Sequence, residues 1–151
     1  MNLTTITYKS EAYWEMVELR NKILREPFGL VFSEDDLLRE KNDMLCVVKD
    51  ETDRIIACCV LTKKDENTAH LRQMAVSEMF QRQGFGSKIL QFAEKIARNS
   101  GYTTIILHAR KTAIGFYAKQ QYKVVGEEFI EVGMPHVEMV KRIETPMTNN
   151  L

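Results

Sequence analysis

The sequence predicts an α/β domain with a mixed, mostly antiparallel sheet and helices on both faces. Two apolar strand-like runs flank a polar turn in the first half, a strand–helix–strand unit occupies the middle, and two strand-like runs come last. Short turns favour antiparallel pairing, whereas a strand–helix–strand crossover places two strands in parallel. We expect one domain over residues 1–143 and a short polar tail over residues 144–151.

The chain should begin with a strand over residues 3–8, followed by two helices. Ser10 is a typical helix N-cap, so the first helix is expected to run from there to about residue 24. A proline and a glycine then break the chain before a short helix that begins at Ser33 and ends near residue 41. The residues expected on the core face of the first helix are Trp14, Met16, Leu19 and Ile23.

The remaining elements complete the sheet. In chain order they are strands over residues 44–48, 55–61 and 69–76, a helix to about residue 100, a strand over 103–108, a short helix over 113–120, and strands over 123–130 and 136–143. Gly101 is placed to end the longer helix in a left-handed conformation. The first two of these strands should form a hairpin, and the last two should pair across Gly133-Met134-Pro135.

The composition argues for a small or locally recognised substrate. Lys and Arg number 21, as do Asp and Glu, so no net field attracts the protein to nucleic acid or to an anionic membrane. The N-terminus lacks the pattern of a signal peptide, and no run approaches the roughly 18 apolar residues of a membrane span. We therefore expect a cytoplasmic protein that binds neither nucleic acid nor membrane.

The cysteines show no metal-binding pattern. Cys46, Cys58 and Cys59 lie in apolar, strand-like runs without a Cys-x-x-Cys pair, so no metal site is expected. They should be small core residues. Because Cys58 and Cys59 are adjacent on a strand and point to opposite faces, one of them is a candidate for exposure.

A glycine-containing turn is the clearest candidate for a ligand site. The segment from Gln81 to Ser87 connects the strand that ends at Val76 to an amphipathic helix. Gly84 and Gly86 lack a Cβ, so backbone N–H groups and the positive end of the helix can face a diphosphate. The spacing matches neither the P-loop nor the Rossmann turn.

A second motif follows one helix and one strand later. Ala113 precedes Phe116-Tyr117, and Gln121-Tyr122 ends the short helix. With Gln81-x-x-Gly84-x-Gly86 before it, this pattern resembles the two signatures of the GNAT superfamily of N-acetyltransferases over roughly residues 44–143. The sequence departs from those signatures at Arg110, where asparagine is common, and at Gln121-Tyr122, which replaces Gly-Phe.

The resemblance implies the GNAT fold, binding of acetyl-coenzyme A and a set of coenzyme contacts. Backbone groups of Met74, Ala75 and Val76 would bind the pantetheine arm as an added strand, with one N–H facing the thioester oxygen. The residues implied to hold the diphosphate are Gln81, Arg82, Gln83, Gly84, Phe85, Gly86 and Ser87. Arg110 and Phe116 are further candidates for coenzyme contact, although Phe116 is better explained as a packing residue.

Tyr117 is the candidate general acid. The resemblance places its phenol near the coenzyme sulfur, and a phenol with a pKa of about 10 can protonate a thiolate. The general base has several candidates. His136 has an unperturbed pKa of about 6.5 that suits the role, while Glu128, Glu131 or a relaying water molecule would also serve.

The resemblance also implies where the acceptor enters. The segments that would line its pocket are residues 26–32, with Phe28 and Phe32, and residues 130–136, with Glu131 and His136. Both combine apolar side chains with a few polar groups, which is typical of a pocket for a small ligand.

The predicted function is transfer of acetyl from acetyl-coenzyme A directly to a primary amine of a small molecule. One alternative is acetylation of a peptide N-terminus or a lysine. A second is a coenzyme A-binding sensor or assembly module without turnover, and a third is an unrelated α/β domain in which the glycines serve packing. The sequence leaves a homodimer open.

Overall fold

The computed structural model describes residues 1–144, so the predicted tail beyond Glu144 lies outside the described residues. The strands are β1 (Asn2–Ile6), β2 (Met44–Lys49), β3 (Ile55–Lys63), β4 (Thr68–Val76), β5 (Thr104–Arg110), β6 (Lys123–Glu131) and β7 (Met134–Arg142). The helices are α1 (Glu11–Leu24), α2 (Glu34–Leu38), α3 (Phe85–Asn99) and α4 (Ile114–Lys119).

The seven strands form one sheet in the order β1-β2-β3-β4-β5-β7-β6, mostly antiparallel with one parallel pair. This confirms the predicted fold class. The chain groups into two compact units, the first formed by Met1–Thr62 with Leu71–Ala93 and the second by Lys63–His70 with the chain from Glu94 onward. The expectation of one domain over residues 1–143 stays a prediction.

Local signals fixed the helix starts in the first unit. The Ser10 hydroxyl accepts a hydrogen bond from the Tyr13 N–H at 3.2 Å and so caps α1. Ser33 and Asp36 form a capping box, in which each side chain accepts a hydrogen bond from the other residue's backbone N–H. Both helices therefore begin where the sequence predicted, although α2 ends three residues early, at Leu38.

The predicted core face of α1 was wrong at Trp14, whose side chain is 49% exposed. The buried residues of α1 are Tyr13, Met16, Val17 and Arg20. Tyr13 takes the core position that Trp14 was expected to hold because its hydroxyl donates to the buried Glu40 carboxylate at 2.8 Å. Leu19 and Ile23 do pack against this core as partly buried residues.

The cysteine prediction needs one correction. Cys46 pairs with Cys59 between the antiparallel strands β2 and β3, and Cys46, Cys58 and Cys59 are all fully buried. β3 is covered on both faces over most of its length, so neither of the adjacent cysteines is exposed. Burial also raises the pKa of the Cys58 thiol to about 12.

We expect the folded protein not to react with an aromatic disulfide reagent at neutral pH, because each thiol is inaccessible and the pKa of Cys58 keeps it protonated. Absorbance at the wavelength of the released thiolate should rise only after guanidinium unfolds the chain, to the level of three thiols. Rapid reaction of one thiol in the native protein would contradict this placement of the cysteines.

In the second unit, β5 pairs with β7 and β7 pairs with β6, all antiparallel. The predicted turn at Gly133-Met134-Pro135 was wrong, because β7 already begins at Met134. Val132 and Gly133 make the turn, with φ of 51° and 71°. Two consecutive residues with positive φ are typical of the two-residue hairpin turn that matches the twist of the strands. Proline's fixed φ fits the extended backbone that follows.

The helices of residues 1–144 include none that is both long enough and apolar enough to cross a membrane.

Candidate functional site

The glycine-containing turn lies in the first unit between β4 and α3. A short 3₁₀ turn over Glu78–Phe80 follows β4, and α3 begins at Phe85. Arg82 and Gly84 adopt left-handed backbone conformations, with φ of 63° and 85°. The first N–H groups of a helix have no carbonyl partner within the helix, and no acidic residue lies in the first turn of α3. This end of α3 suits an anion.

Two glutamine side chains hold the turn in shape. The Gln81 amide donates to the Val76 carbonyl at 2.9 Å, and the Gln83 amide donates to the Met79 carbonyl at 3.0 Å. The Phe85 ring is buried and meets the Phe80 ring edge to face at 5.8 Å between centroids. The residues from Gln81 to Gly84 are exposed, so this part of the predicted diphosphate site is accessible.

Gln73 is a candidate site residue that the sequence did not reveal. It adopts φ of 57° inside β4, directly before Met74, Ala75 and Val76. A left-handed residue in a strand interrupts the regular alternation and redirects the neighbouring backbone groups. The Cys58 thiol donates to the Gln73 carbonyl at 3.6 Å and supports this conformation. No feature of the sequence indicates it, because glutamine has no strong preference for positive φ.

Tyr117 and its aromatic neighbours lie in the second unit. Tyr117 is buried on α4, with ring contacts to Phe116 at 5.0 Å and to Tyr122 at 5.9 Å. The Tyr122 hydroxyl donates to the buried Glu94 carboxylate at 2.8 Å. Tyr122 therefore replaces the phenylalanine of the family signature with a packed and hydrogen-bonded ring. Arg110 ends β5, and partial burial lowers the pKa of its guanidinium.

Glu131 and His136, predicted from the sequence to lie in the acceptor pocket, are brought together in the second unit. His136 Nε2 lies 3.8 Å from Glu131 Oε2. The structure adds His108, which from the sequence is expected only as the last residue of the strand over 103–108, with its Nδ1 2.9 Å from Glu131 Oε1. The Phe129 ring stacks on His136 at 6.1 Å and meets His108 edge to face at 5.0 Å.

Glu128, the other carboxylate considered as a base, has a different environment. Its Oε1 lies 3.2 Å from Lys111 Nζ, and both side chains are exposed. A solvated ion pair of this kind contributes little energy and does not favour a proton-accepting role.

Phe28 and Phe32 occupy the first unit. The Phe28 side chain is half-exposed beside Gly29, whereas Phe32 is buried. The guanidinium groups of Arg20 and Arg25 lie over the Phe32 ring at 4.4 and 4.1 Å from its centroid. Phe32 is thus a packing residue that fixes the segment after α1, while Phe28 has surface available for a ligand. Their assignment to an acceptor pocket stays a prediction.

Within residues 1–144, no group of three or more His, Cys, Asp or Glu side chains has an arrangement that could hold a metal ion.

A family comparison bears on these observations. The family model described as "Acetyltransferase (GNAT) domain" matches residues 6–143. The chain belongs to the GNAT acetyltransferase family. The match includes both the glycine-containing turn and the Phe116-Tyr117 motif, on which the resemblance had rested.

Relatives of this GNAT chain occur in Bacillus subtilis. The protein YyaT is 35% identical over 82 residues, which cover 54% of this chain and 55% of YyaT. The protein YjcF, described as an N-acetyltransferase, is 36% identical over 72 residues, which cover 47% of this chain and 51% of YjcF. The chain thus spans about half the length of the relatives it matches.

Solved structures share the GNAT fold over nearly the whole chain. An aminoglycoside 6'-N-acetyltransferase complexed with coenzyme A has a TM-score of 0.80 and 14% identity, covering 98% of this chain and 100% of that chain. A GNAT family acetyltransferase from Elizabethkingia anophelis with acetyl-CoA bound has a TM-score of 0.70 and 19% identity, covering 93% and 97%.

Proposed function

We propose that this GNAT protein transfers acetyl from acetyl-coenzyme A directly to a primary amine of a small molecule. The observation that carries the proposal is the exposed turn from Gln81 to Gly84 at the start of α3, with two left-handed residues and no acidic residue in the helix's first turn. Proteins of the same fold with coenzyme A or acetyl-CoA bound support the choice of ligand.

The turn would hold the diphosphate through backbone N–H groups. Gln81 and Gln83 use their side-chain amides to fix the turn, so its backbone is preorganised rather than ordered by the ligand. Arg82 is exposed beside Gly84 and adds a positive charge. The remaining diphosphate contacts implied by the resemblance are Phe85, Gly86 and Ser87.

The acyl step needs an oxyanion contact and a proton donor. Acetyl-coenzyme A supplies a thioester whose carbonyl oxygen gains negative charge when an amine attacks. In our proposal backbone groups of Met74, Ala75 and Val76 hold the pantetheine arm, and one N–H stabilises that charge. Tyr117 then gives its phenolic proton to the departing thiolate. Arg110 and Phe116 remain candidates for further coenzyme contacts.

A small-molecule acceptor is favoured over a protein for two reasons. The chain has equal numbers of acidic and basic residues, and therefore no field that would attract a strongly charged macromolecule. In addition, one protein of the same fold is an aminoglycoside acetyltransferase, which acts on a small amine. Peptide N-termini and lysine side chains form the second candidate class.

The proposal is tested by amine-dependent release of coenzyme A thiol across a panel of small amines and short peptides. The protein's own thiols are buried, so they add no background to a thiol reagent under native conditions. Stabilisation by acetyl-coenzyme A in a melting experiment reports binding separately. Binding without amine-dependent release would favour a sensor or assembly module, and the absence of both would overturn the assignment.

Tyr117→Phe is expected to lower kcat by about 100-fold, because general acid catalysis typically contributes 100-fold or more. The change in melting temperature caused by acetyl-coenzyme A should stay near that of the wild type, since the ring remains. Steady-state kinetics and melting curves on the same preparation measure both quantities.

Tyr122→Phe is the matched control for Tyr117→Phe. It removes a phenolic hydroxyl from a neighbouring ring, 5.9 Å away between centroids, whose hydroxyl donates to Glu94 rather than to a reactant. It should lower stability and leave kcat near the wild-type value. If the two variants have equal kcat values, Tyr117 is not the proton donor.

A further inference from the structure

Glu131 lies between two histidines, and each of its carboxylate oxygens faces a different ring. Oε1 is 2.9 Å from His108 Nδ1, and Oε2 is 3.8 Å from His136 Nε2. The three residues come from the adjacent strands β5, β7 and β6, so strand pairing fixes their spacing. His108 was not apparent from the sequence as a member of the cluster, because it lies 23 positions before Glu131 and 28 before His136.

The hydrogen-bond partners fix which nitrogen of His136 can accept a proton. Its Nδ1 lies 2.9 Å from the Met134 carbonyl oxygen, and a carbonyl can only accept, so Nδ1 carries the hydrogen. A neutral His136 therefore has its lone pair on Nε2, the atom that faces Glu131. In the proposed arrangement, His108 likewise carries a hydrogen on Nδ1 and donates it to Glu131 Oε1.

Accessibility differs sharply within this cluster. The Glu131 side chain is 43% exposed, whereas that of His136 is only 5% exposed. A substrate ammonium arriving from solvent therefore meets the carboxylate before the buried ring. Behind the carboxylate, the His136 ring presents the lone pair of Nε2 as a proton acceptor, because its Nδ1 hydrogen is donated to the Met134 carbonyl.

We infer that Glu131 binds the substrate ammonium and passes its proton to His136, and that His108 is a positioning residue for the Glu131 carboxylate. The inference rests on the proposed function and deepens it. An N–H bond of the ammonium breaks as an O–H bond to Oε2 forms, and the nitrogen keeps the electron pair with which it attacks the thioester. The Oε2–H bond then breaks, and the proton binds Nε2 of His136 once substrate binding has closed the 3.8 Å gap between the two atoms to hydrogen-bond distance.

Other charged and titratable groups surround the cluster. Glu138 Oε1 on β7 lies 3.4 Å from His108 Nε2, and adds a second negative charge that attracts a cation. Arg110 on β5 is the register partner of His136. Its charge is positive, opposite in sign to the carboxylates of Glu131 and Glu138. The His70 ring on β4 packs against His108 at 4.6 Å between centroids. The proton that reaches His136 returns to solvent through Glu131.

The decisive experiment compares Glu131→Gln with Glu66→Gln by steady-state kinetics, using the amine that gives the highest wild-type turnover. Glu66 is an exposed carboxylate of the same unit. Among the ion pairs of residues 1–144 it pairs only with Lys63, at 2.8 Å, so Glu66→Gln controls for the loss of one negative charge. Glu131→Gln should raise the amine KM and lower kcat by about 100-fold. The Glu66 variant should match the wild type, and acetyl-coenzyme A should stabilise both variants equally.

Conservative histidine variants separate proton transfer from packing. In His136→Asn the side-chain amide can replace the Nδ1–H that donates to the Met134 carbonyl, but nothing replaces Nε2. It should lower kcat by about 100-fold with little change in the amine KM. His108→Ala should lower kcat about tenfold by misplacing the carboxylate. His108→Asn keeps a donor near the Nδ1 position and should recover much of that loss.

Each outcome has a separate meaning. Wild-type kcat and amine KM in Glu131→Gln would overturn the inference while acetyl transfer stands, and a fully active His136→Asn would overturn the second proton step. Equal losses in the two His108 variants would overturn its positioning role. A wild-type protein that releases no coenzyme A thiol with any amine would overturn the proposed function itself. Nitrogen-15 NMR of the imidazoles gives a readout without turnover, in which neutral His136 should be protonated on Nδ1.

Discussion

Gly84→Val is expected to abolish acetyl-coenzyme A binding while the protein still folds. Gly84 has φ of 85°, and a Cβ built there meets no heavy atom of residues 1–144 within 4 Å. The valine side chain would therefore enter open space at the start of α3, where we propose that the diphosphate binds. The left-handed backbone would also be strained by about 1–2 kcal/mol in a residue other than glycine. Melting curves with and without acetyl-coenzyme A should show no ligand-induced stabilisation.

Gly126→Val provides a control with the same strain elsewhere. Gly126 lies on β6 with φ of 74°, and a Cβ there also meets no heavy atom within 4 Å in the part of the chain that the structure describes. It should lose a similar amount of stability and keep the stabilisation by acetyl-coenzyme A. Wild-type binding by Gly84→Val would show that the turn does not hold the diphosphate. Loss of acetyl-coenzyme A binding in both variants would instead show that general destabilisation, and not a blocked diphosphate site, causes the loss.

Signals that act over a few residues predicted much of this fold. Ser10 and Ser33 cap helices through hydrogen bonds to N–H groups three positions ahead, and such contacts need only local sequence. Gly101 adopts φ of 95° after α3, as expected of a glycine that ends a helix. The two family signatures are local patterns too, and they led to the correct family.

Contacts between distant residues could not be predicted in this way. Tyr13 rather than Trp14 is buried because its hydroxyl meets Glu40, which lies 27 positions away. The spacing of apolar residues along a helix cannot identify a polar partner that lies elsewhere in the chain. His108 was hidden for the same reason, since its partner Glu131 lies 23 positions later. The left-handed Gln73 depends on the surroundings of β4 and has no signal in its own residue type.

For the histidine and glutamate cluster, the structure adds the relative positions and exposures of side chains that the sequence identifies only by type. The sequence supplied His136 and Glu131 as alternatives for one role, chosen by residue type and by position near a hairpin. In our proposal they act in sequence instead, since Glu131 is exposed and His136 is buried with its Nδ1 hydrogen donated to a carbonyl. The choice between a histidine base and a glutamate base thus becomes a question about the order of proton transfers.

Glu40→Ala is expected to lower the free energy of unfolding by about 3–5 kcal/mol, the typical cost of breaking a buried ion pair from one side. Glu40 accepts hydrogen bonds from Arg20 Nη1 at 2.8 Å, from Arg20 Nη2 at 2.5 Å and from the Tyr13 hydroxyl at 2.8 Å. Arg20 is fully buried, and its Nε has no hydrogen-bond partner within residues 1–144. Without Glu40 the guanidinium would be a buried charge with no carboxylate. Urea unfolding at neutral pH measures the change.

Two comparisons make the Glu40 prediction specific. Glu66→Ala removes the carboxylate of an exposed pair with Lys63 and should lower the free energy of unfolding by less than about 1 kcal/mol.

The double variant Arg20→Met with Glu40→Leu removes both charges, and should be more stable than Glu40→Ala because no unpaired charge remains. It also keeps the prediction testable where Glu40→Ala does not fold. A double variant no more stable than Glu40→Ala would show that the carboxylate acts through Tyr13 and not by neutralising Arg20. In the wild type, burial and the hydrogen bond to Glu40 hold the pKa of the Tyr13 phenol well above its ordinary value, so at neutral pH its hydroxyl donates to the Glu40 carboxylate.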